Sequence, residues 1–464
     1  MASENNILFL VPDGVGVRNY LFSNVITGLK DVSQIHIWTT LTQPAVYEIE
    51  RLHNVNLHYH QITLPSEPMK ARLRREAATY ARLLVNREKL NNPAVMNYWG
   101  KKPKGLKLKL FYKVVKNIGF RASKNYNKIL ELEKRSGKAW PVSQTAHYKQ
   151  VLERIAPKKI FVTHQRVASL QPICNAAREL GIPLISCIYS WDNTAKASLA
   201  IRADQYLVWS DYMKRELLKL YPEIPEASIS VTGTPQFEFH TQKDRLLPRV
   251  DFAENYGLDS EKKWICFSGD DKLTSPYDPA YLDDVAEAVN NLPEGERPLI
   301  LFRRCPVDFS PRYDKVLDKW KGVIFAIDPI WNTSKGNWGG IYPKPEDLDL
   351  LMNMAHHCEV VVNIGSTMAH DFAMFGKPGL YIAYDQPVSE NWSTDTIYRF
   401  EHFRSMDGLD AVGWIRNKED ISRMIRTAIN NPNSIAPDRM MWLERIVKLP
   451  AEDASAAIVK ELLS

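Results

Sequence analysis

Short apolar runs alternate with amphipathic segments along the whole chain, and this pattern predicts a doubly wound α/β protein. In the first half the apolar runs predict strands at 6–12, 34–40, 55–61, 158–164, 184–189, 203–209 and 229–232. In the second half they predict strands at 264–267, 298–302, 323–327, 360–364 and 380–383. The last stretch, 436–464, has a helical pattern. Polar residues gather where the predicted strands end, which is where parallel sheets bind their ligands.

The segment 359–384 shows this arrangement most clearly. Its β-branched run ends at Gly365, which allows a sharp turn, and Ser366 or Thr367 can cap the helix that follows. Backbone N–H groups at the start of such a helix can donate hydrogen bonds to a phosphate. Asp371 is placed to accept a hydrogen bond from a ribose hydroxyl. A plain βαβ crossover with a capped helix is the alternative interpretation.

The length of 464 residues favours two domains over one. A polar stretch without clear periodicity, 239–251, predicts the linker between them. We therefore expect an N-terminal domain at 1–240, with a basic helical insertion at 68–150, and a C-terminal domain at 241–464. The last helix is expected to pack back on the N-terminal domain.

A basic segment at 101–128 contains ten Lys or Arg and no Asp or Glu, with apolar residues threaded through it. This composition is typical of a surface that rests on anionic lipid. The alternative is a solvated helical pair whose apolar side packs on its own domain. Nucleic-acid binding is not predicted, because no recognised binding module accompanies the basic residues.

Composition narrows the class of protein further. The chain is 45% hydrophobic and carries a net charge of +6, which is ordinary for a globular protein. Its five cysteines are scattered and form neither CxxC nor a Cys/His metal spacing. The polar N-terminus leads directly into a strand, and no apolar run is long enough to span a membrane. These features predict a cytoplasmic protein with reduced thiols and no metal site.

Several motifs occur in an order that resembles a known family: SWDNTAKA at 190–197, ADQYLVWSDYMKREL at 203–217, VTGTPQFE at 231–238, LFRRCP at 301–306 and NIGSTMAHDFAMFGKP at 363–378. Together they resemble glycosyltransferases of the GT-B fold, with two Rossmann-like domains facing a central cleft. The resemblance is to a bacterial group found with surface-polysaccharide assembly. That group is more remotely similar to the CDP-glycerol glycerophosphotransferases.

The resemblance implies a donor nucleotide on the C-terminal domain and an acceptor on the N-terminal one. It places Gly365, Ser366, Thr367 and Met368 at the donor phosphates and Asp371 at a sugar or ribose hydroxyl. It places Gly233, Thr234, Pro235 and Gln236 on the hinge side of the cleft. Further donor contacts are expected from Ser268, Arg303, Arg304 and Tyr342, the arginines neutralising phosphate and the tyrosine lying beside the base. The family often has Glu where this chain has Asp371, and His where it has Cys305.

Transfer with inversion needs a base for the acceptor hydroxyl. The candidates at predicted strand ends of the N-terminal domain are Asp13, His164 and Asp192, with Asp13 and Asp192 preferred. Each has a structural alternative, namely an Asx turn for Asp13, a core histidine for His164 and a helix cap for Asp192. An enzyme that retains configuration would need none of the three.

The sequence therefore predicts a metal-independent glycosyltransferase that moves a sugar from a nucleotide-activated donor to a glycan or lipid-linked acceptor. No cofactor is expected besides the substrate nucleotide, and association would be with the inner membrane face through 101–128. A CDP-polyol phosphotransferase and a nucleotide-sugar 2-epimerase of the same fold remain alternatives. A carbohydrate-binding protein without enzymatic activity is a further one.

Overall fold

A computed structural model describes residues 5–333, 341–388 and 392–464. The chain divides into two compact units. The first unit comprises 1–236, 333–342 and 446–464, and the second comprises 237–332 and 343–445. Each unit is built around its own parallel sheet.

The strands share the apolar, often β-branched character of segments buried on both sides. In chain order they are β1 Asn6–Val11, β2 Gln34–Thr39, β3 His58–Gln61, β4 Lys159–Val162, β5 Leu184–Cys187, β6 Gln205–Val208, β7 Ile229–Val231, β8 Trp264–Ser268, β9 Leu299–Arg303, β10 Ile324–Ala326, β11 Trp331–Thr333, β12 Ile341–Pro343, β13 Val361–Asn363, β14 Gly379–Ile382 and β15 Gly413–Ile415.

The α-helices connect and flank these strands. In chain order they are α1 Asn24–Leu29, α2 Gln43–His53, α3 Met69–Leu90, α4 Leu106–Ala122, α5 Tyr126–Gly137, α6 Val142–Ile155, α7 Gln171–Glu179, α8 Asp211–Leu220, α9 Arg249–Tyr256, α10 Asp278–Asn290, α11 Asp314–Lys319, α12 Pro345–His357, α13 Met368–Ala373, α14 Thr394–Tyr398, α15 Asp420–Asn430, α16 Arg439–Ile446 and α17 Ala454–Leu463.

The first unit has a seven-stranded parallel sheet in the order β3-β2-β1-β4-β5-β6-β7. The chain starts at the centre and winds outward in both directions, as in Rossmann-type domains. Leu10 of β1 pairs with Val162 of β4, so the residues just beyond these two strands lie side by side. The rings of Phe9 and Phe161 pack edge to face below them, with centroids 5.4 Å apart.

The second unit has a six-stranded parallel sheet in the order β10-β9-β8-β13-β14-β15. Its central strand β8 is completely buried, and α12 packs against the sheet through Leu350, Leu351 and Met354. With one Rossmann-like sheet in each unit, the predicted α/β architecture of two such domains is confirmed.

Element boundaries differ from the prediction at the supposed linker and in the last stretch of the chain, among other places. The division between units falls after Gln236, and the supposed linker 239–251 contains short helical turns and the start of α9. The terminal stretch 436–464 is two helices, α16 and α17, because Pro450 has no backbone N–H and cannot continue a helix. Residues 446–464 belong to the first unit, where Lys159 donates to the carbonyl of Glu461 over 3.0 Å.

Candidate functional site

The turn that follows β1 packs tightly within the first unit. A Cβ atom built on Gly14 would lie 1.9 Å from the carbonyl oxygen of Ile341, so no side chain fits there. Next to it, the backbone N–H of Val15 donates to Asp13 Oδ1 over 3.1 Å and forms the Asx turn considered as an alternative role for this residue. The turn fixes the Asp13 carboxylate and leaves its second oxygen available.

Two of the three predicted base candidates contact each other. His164 Nδ1 lies 2.7 Å from Asp13 Oδ2, a hydrogen bond in which the imidazole N–H donates to the carboxylate. The two side chains are 13% and 19% exposed, so the pair is neither buried in the core nor fully solvated. Tyr189 packs edge to face on the imidazole at 4.5 Å. An aspartate that holds Nδ1 in this way leaves Nε2 as the basic nitrogen.

Asp192, the third candidate, sits in a local polar turn. Its Oδ1 accepts hydrogen bonds from Ser190 Oγ over 2.7 Å and from Asn193 Nδ2 over 3.2 Å. Its other oxygen forms an ion pair with Lys196, four residues later. These donors are side chains and not the backbone N–H groups that a helix cap would bind, and a catalytic role for Asp192 stays a prediction.

The predicted hinge residues Gly233, Thr234, Pro235 and Gln236 are all buried. Gly233 has a φ of 82°, and a Cβ atom there would lie 3.3 Å from Ala454 in α17. Thr234 Oγ1 accepts a hydrogen bond from the backbone N–H of Gln236 over 3.4 Å. Through Gly233 this segment contacts α17, the last helix. Binding of a ligand by these four residues stays a prediction.

The turn after β13 is the predicted phosphate site. Gly365 adopts a φ of 73°, and Ser366 and Thr367 are partly exposed, whereas Met368 is buried. The backbone N–H of Ser366 donates to Asn363 Oδ1 over 3.0 Å, and Tyr381 donates to the Ser366 carbonyl over 3.0 Å. Within the described chain, no hydrogen bond uses the backbone N–H of Gly365 or Thr367. Two amides therefore remain for a ligand.

The helix that follows this turn is shorter than predicted. It spans only Met368–Ala373, so its dipole adds less to anion binding than a long helix would. Asp371 is 3% exposed, and its Oδ1 lies 3.1 Å from Nε2 of His240. A contact between Asp371 and a ribose or sugar hydroxyl stays a prediction, for which this carboxylate would have to leave its histidine.

The two arginines after β9 have different environments. Arg303 is 5% exposed and donates through Nη2 to both oxygens of Asp347, over 2.8 and 2.9 Å. Its charge is thus neutralised inside the unit. Arg304 is partly exposed and lies 2.7 Å from Asp328, whose side chain is 60% exposed. Of the two, Arg304 is the one that can reach a phosphate.

Two further residues assigned to the donor, one in each unit, are less accessible than predicted. Ser268 ends β8 and is 6% exposed, and Tyr342 is 3% exposed. Contacts of these two side chains with a donor therefore stay predictions. For such contacts, both side chains would have to become more exposed than they are in this structure. Burial raises the pKa of the Cys305 thiol to about 12, so this cysteine is not a nucleophile near neutral pH.

Asp270 lies just beyond the end of β8, at the edge of the second sheet where the predicted phosphate turn also lies. Ser268 pairs with Arg303 and Phe267 pairs with Val362, so Asp270 comes level with Cys305 and Gly365 just beyond the strands. Its Oδ2 is buried without a hydrogen bond inside the described chain. Burial first, and then the charges of Asp278 and Asp271, raise its pKa well above the usual value for aspartate. Only the strand register could have revealed this neighbourhood.

A cavity of about 960 Å³ lies in the first unit between the helical insertion and the sheet. It is lined by α3, α5, α7 and the segments 197–204 and 223–228. At its wall Arg202 Nη2 lies 2.6 Å from Glu133 and 2.7 Å from Glu223. Because these residues are far apart in sequence, no local motif indicated the cavity.

The described residues contain neither a cluster suited to a metal ion nor a helix suited to crossing a membrane. Among them, no three His, Cys, Asp or Glu side chains are grouped so as to hold a metal ion. None of the described helices combines the length and apolarity needed to cross a bilayer.

Comparison with known proteins defines the fold class. No family model matches the chain, and no curated protein sequence matches it significantly. Among solved structures, it is similar to a UDP-GlcNAc 2-epimerase from Neisseria meningitidis bound to UDP-GlcNAc (TM-score 0.51, 12% identity, 99% of each chain covered). It is similar to the UDP-GlcNAc 2-epimerase from Methanocaldococcus jannaschii (TM-score 0.52, 10% identity, 99% of each chain).

A glycosyltransferase from Rickettsia africae matches equally well, with a TM-score of 0.53, 10% identity, and 100% of this chain and 99% of the other covered. At such identities the likeness shows the fold alone. The chain therefore has the GT-B type of fold, which the epimerases and the glycosyltransferase share.

Proposed function

We propose that this protein is a glycosyltransferase that transfers a sugar from a nucleotide-activated donor to a hydroxyl of a glycan acceptor. The observation that carries the proposal is the hydrogen bond between Asp13 and His164 at the ends of neighbouring strands. A carboxylate-oriented imidazole is suited to remove a proton from a hydroxyl. The individual residues were predicted as separate candidates, and in this proposal Asp13 is the orienting group and His164 is the base.

The second unit offers groups that suit the departing nucleoside diphosphate. Loss of this group requires stabilisation of negative charge on its terminal phosphate. The amides of Gly365 and Thr367, the Ser366 hydroxyl and the Arg304 guanidinium are the donors that the proposal assigns to this task. No step in this scheme uses a metal ion.

The acceptor in this proposal is a glycan or a lipid-linked glycan of cell-surface polysaccharide synthesis. A lipid-linked acceptor lies in a bilayer, so the proposal includes peripheral association with the cytoplasmic side of a membrane. The cavity beside Glu133, Arg202 and Glu223 has both charged and apolar lining residues and is large enough for part of a glycan, which supports acceptor binding on the first unit.

A ligand screen tests the nucleotide part of the proposal. The full chain is melted in the presence of UDP, GDP, CDP, dTDP, CMP-sugars and CDP-glycerol. A ligand that binds the folded state raises the melting temperature in proportion to the logarithm of its excess over Kd. Stabilisation by one nucleoside diphosphate that is reduced in Arg304→Gln supports the donor site. No response to any of them would refute the proposed class, and a response to CDP-glycerol alone would favour polyol-phosphate transfer.

A nucleotide-sugar 2-epimerase is the second candidate, favoured by the likeness to two such epimerases at similar TM-scores. This reaction exchanges the proton at C2 of the sugar and needs no acceptor. Incubation with UDP-GlcNAc in deuterated water separates the two candidates. Deuterium at C2 without an acceptor indicates the epimerase, and release of UDP only when a glycan acceptor is added indicates the transferase.

A further inference from the structure

Helix α4 is attached to the rest of the first unit along one narrow side. Tyr112 and Val115 are buried on this side, and Arg72 of α3 donates to the Tyr112 hydroxyl over 3.0 Å. At Gly119 the two helices approach so closely that a Cβ atom would lie 2.7 Å from the Ala77 carbonyl oxygen. This side satisfies the packing of α4 on its own domain.

The opposite side of α4 carries apolar side chains that contact solvent. Leu106, Leu110 and Val114 are 86%, 65% and 42% exposed. Because they are spaced by four residues, they form one row, here called the exposed row, about 12 Å long. Phe120, six residues beyond Val114 on the same helix, is also exposed, at 54%. Consecutive exposed apolar residues of this size on one helix indicate an interaction surface.

Exposed cations flank the exposed row on both sides. From the helical repeat, Lys109, Lys113 and Lys116 follow one side of it and Lys107 lies on the other, while Arg121 lies about two turns beyond Val114. Within the described chain, none of these five forms an ion pair. The surrounding segment 101–128 contains no acidic residue that could neutralise them. The exposed row is therefore surrounded by positively charged side chains that no acidic residue of the same segment neutralises.

We propose that the exposed row of α4 inserts into the headgroup region of an anionic lipid bilayer while the flanking lysines contact lipid phosphates. Helices that lie in a membrane interface combine these two features, apolar residues on one side and Lys or Arg beside them. Each lysine near an anionic surface strengthens binding about fivefold, and insertion of the row adds apolar burial.

The charge of this surface argues against other partners. A second copy of the chain docked through the same side would place its cations against these cations, which opposes a symmetric interface. Nucleic acid would pair with the lysines, yet it would leave Leu106 and Leu110 in contact with water. A lipid surface satisfies both the charged and the apolar groups.

This inference deepens the proposed function and rests on the membrane association proposed there, but its test needs neither a nucleotide nor an acceptor. The full chain is sedimented with vesicles of phosphatidylcholine alone and with vesicles of phosphatidylcholine mixed with phosphatidylglycerol. We expect binding to the mixed vesicles only, weakened by added salt because salt screens the lysines. Failure of the nucleotide screen would leave this measurement unaffected.

Two variants separate the apolar and the charged contributions. One carries Leu106→Ser, Leu110→Ser and Val114→Ser, and the other carries Lys109→Gln, Lys113→Gln and Lys116→Gln. All six residues are exposed, so both variants should retain the wild-type melting temperature. The matched controls change exposed residues elsewhere: Val142→Ser for the apolar set, and Lys262→Gln, Lys315→Gln and Lys321→Gln for the charged set.

The proposal requires that each α4 variant lose about tenfold or more in vesicle affinity while both controls bind like the wild type. Unchanged binding of the serine variant would overturn it, as would equal binding to both vesicle compositions or no vesicle binding at all. Sedimentation velocity and a nucleic-acid binding assay accompany the vesicles. A dimer, or a nucleic-acid complex, that is lost in the serine variant would also overturn the proposal.

Discussion

Individual side chains at the two sheet edges differ from their sequence-based assignments because their partners come from distant parts of the chain. Asp13 and His164 are 151 residues apart and form a hydrogen bond. Arg303 is paired with Asp347, and its contact with a phosphate stays a prediction. The sequence indicated which residues could do chemistry, and the contacts indicate which of them are already occupied.

Substitution of the Asp13–His164 pair should separate chemistry from nucleotide binding. With the donor identified by the screen, His164→Ala should lower turnover by about a hundredfold or more, and Asp13→Asn by a similar factor. Nucleotide affinity should not change. Asp192→Asn, measured in parallel by the same turnover assay, should have a smaller effect, because this carboxylate is held by Ser190 and Lys196. A larger loss in Asp192→Asn would instead identify Asp192 as the base.

Asp270 predicts a pH dependence of stability. Its pKa is raised in the folded state, so the folded chain holds a proton that the unfolded chain releases. Wild-type stability should therefore fall as the pH rises above the ordinary range for aspartate, and it should stop falling above the folded pKa. Asp270→Asn lacks this loss.

Melting curves recorded across this pH range check the expectation. At pH values above the ordinary aspartate range, the second unit of the Asp270→Asn variant should melt about 2 to 4 °C higher than that of the wild type, the shift for roughly 1 kcal/mol in a unit of this size. In acid the difference should disappear. Asp318→Asn, an exposed site, should show no such trend. An Asp270→Asn variant less stable than wild type at high pH would contradict the assigned protonation.

At the scale of single elements, the hydrophobic pattern correctly predicted most of the buried strands and their approximate positions in the sequence. It was less accurate where backbone geometry or a proline sets the boundary. The helix after Gly365 ends at Ala373, two residues before the predicted end at Phe375, and the terminal helix is divided in two near Pro450. Periodicity reports which residues are apolar, whereas the end of a helix depends on capping contacts that come from the tertiary structure.

The turn after β13 offers a direct test of packing at an element boundary. In Gly365→Ala the methyl group would lie 2.6 Å from the Phe403 ring, in addition to the cost of a positive φ. We expect a loss of about 2 to 4 kcal/mol in the free energy of unfolding.

Gly376→Ala is the matched control, because it has a similar φ of 71° and no atom within 4 Å of the added methyl group. It should lose only about 1 to 2 kcal/mol, the cost of the left-handed conformation. Chemical denaturation of both variants measures the difference. Equal losses would show that Phe403 moves away without cost.

At the scale of the whole chain, ion pairs connect the helical insertion to the sheet of the first unit. Arg82 of α3 is 1% exposed in its side chain and lies 2.5 Å from Glu133 of α5 and 2.6 Å from Glu223. Arg202 contacts the same two glutamates. A buried charge network of this kind orients the elements it joins. Each charge has lost contact with water and depends on its partners in the network to compensate.

Arg82→Met should therefore be strongly destabilising. It leaves Glu133 and Glu223 with fewer partners in a region shielded from water, and we expect a loss of about 3 to 5 kcal/mol. Arg135→Met on α5 is the control, since its ion pair with Glu131 is more than half exposed and should contribute less than about 1 kcal/mol. Urea unfolding of both variants gives the comparison. If Arg82→Met changed the free energy of unfolding only slightly, the packing of the methionine side chain would have compensated for the lost ion pairs.

The sequence by itself determined the number of domains, their α/β character and the strands at whose ends polar residues gather. These features depend on local apolar periodicity and on total apolar content, and both can be counted directly from the amino-acid sequence. Only the tertiary structure decided that Asp13 orients His164, that Arg304 rather than Arg303 is accessible, and that α4 keeps an exposed apolar row. Such outcomes depend on which distant groups come into contact, and burial and pairing are properties of the folded chain.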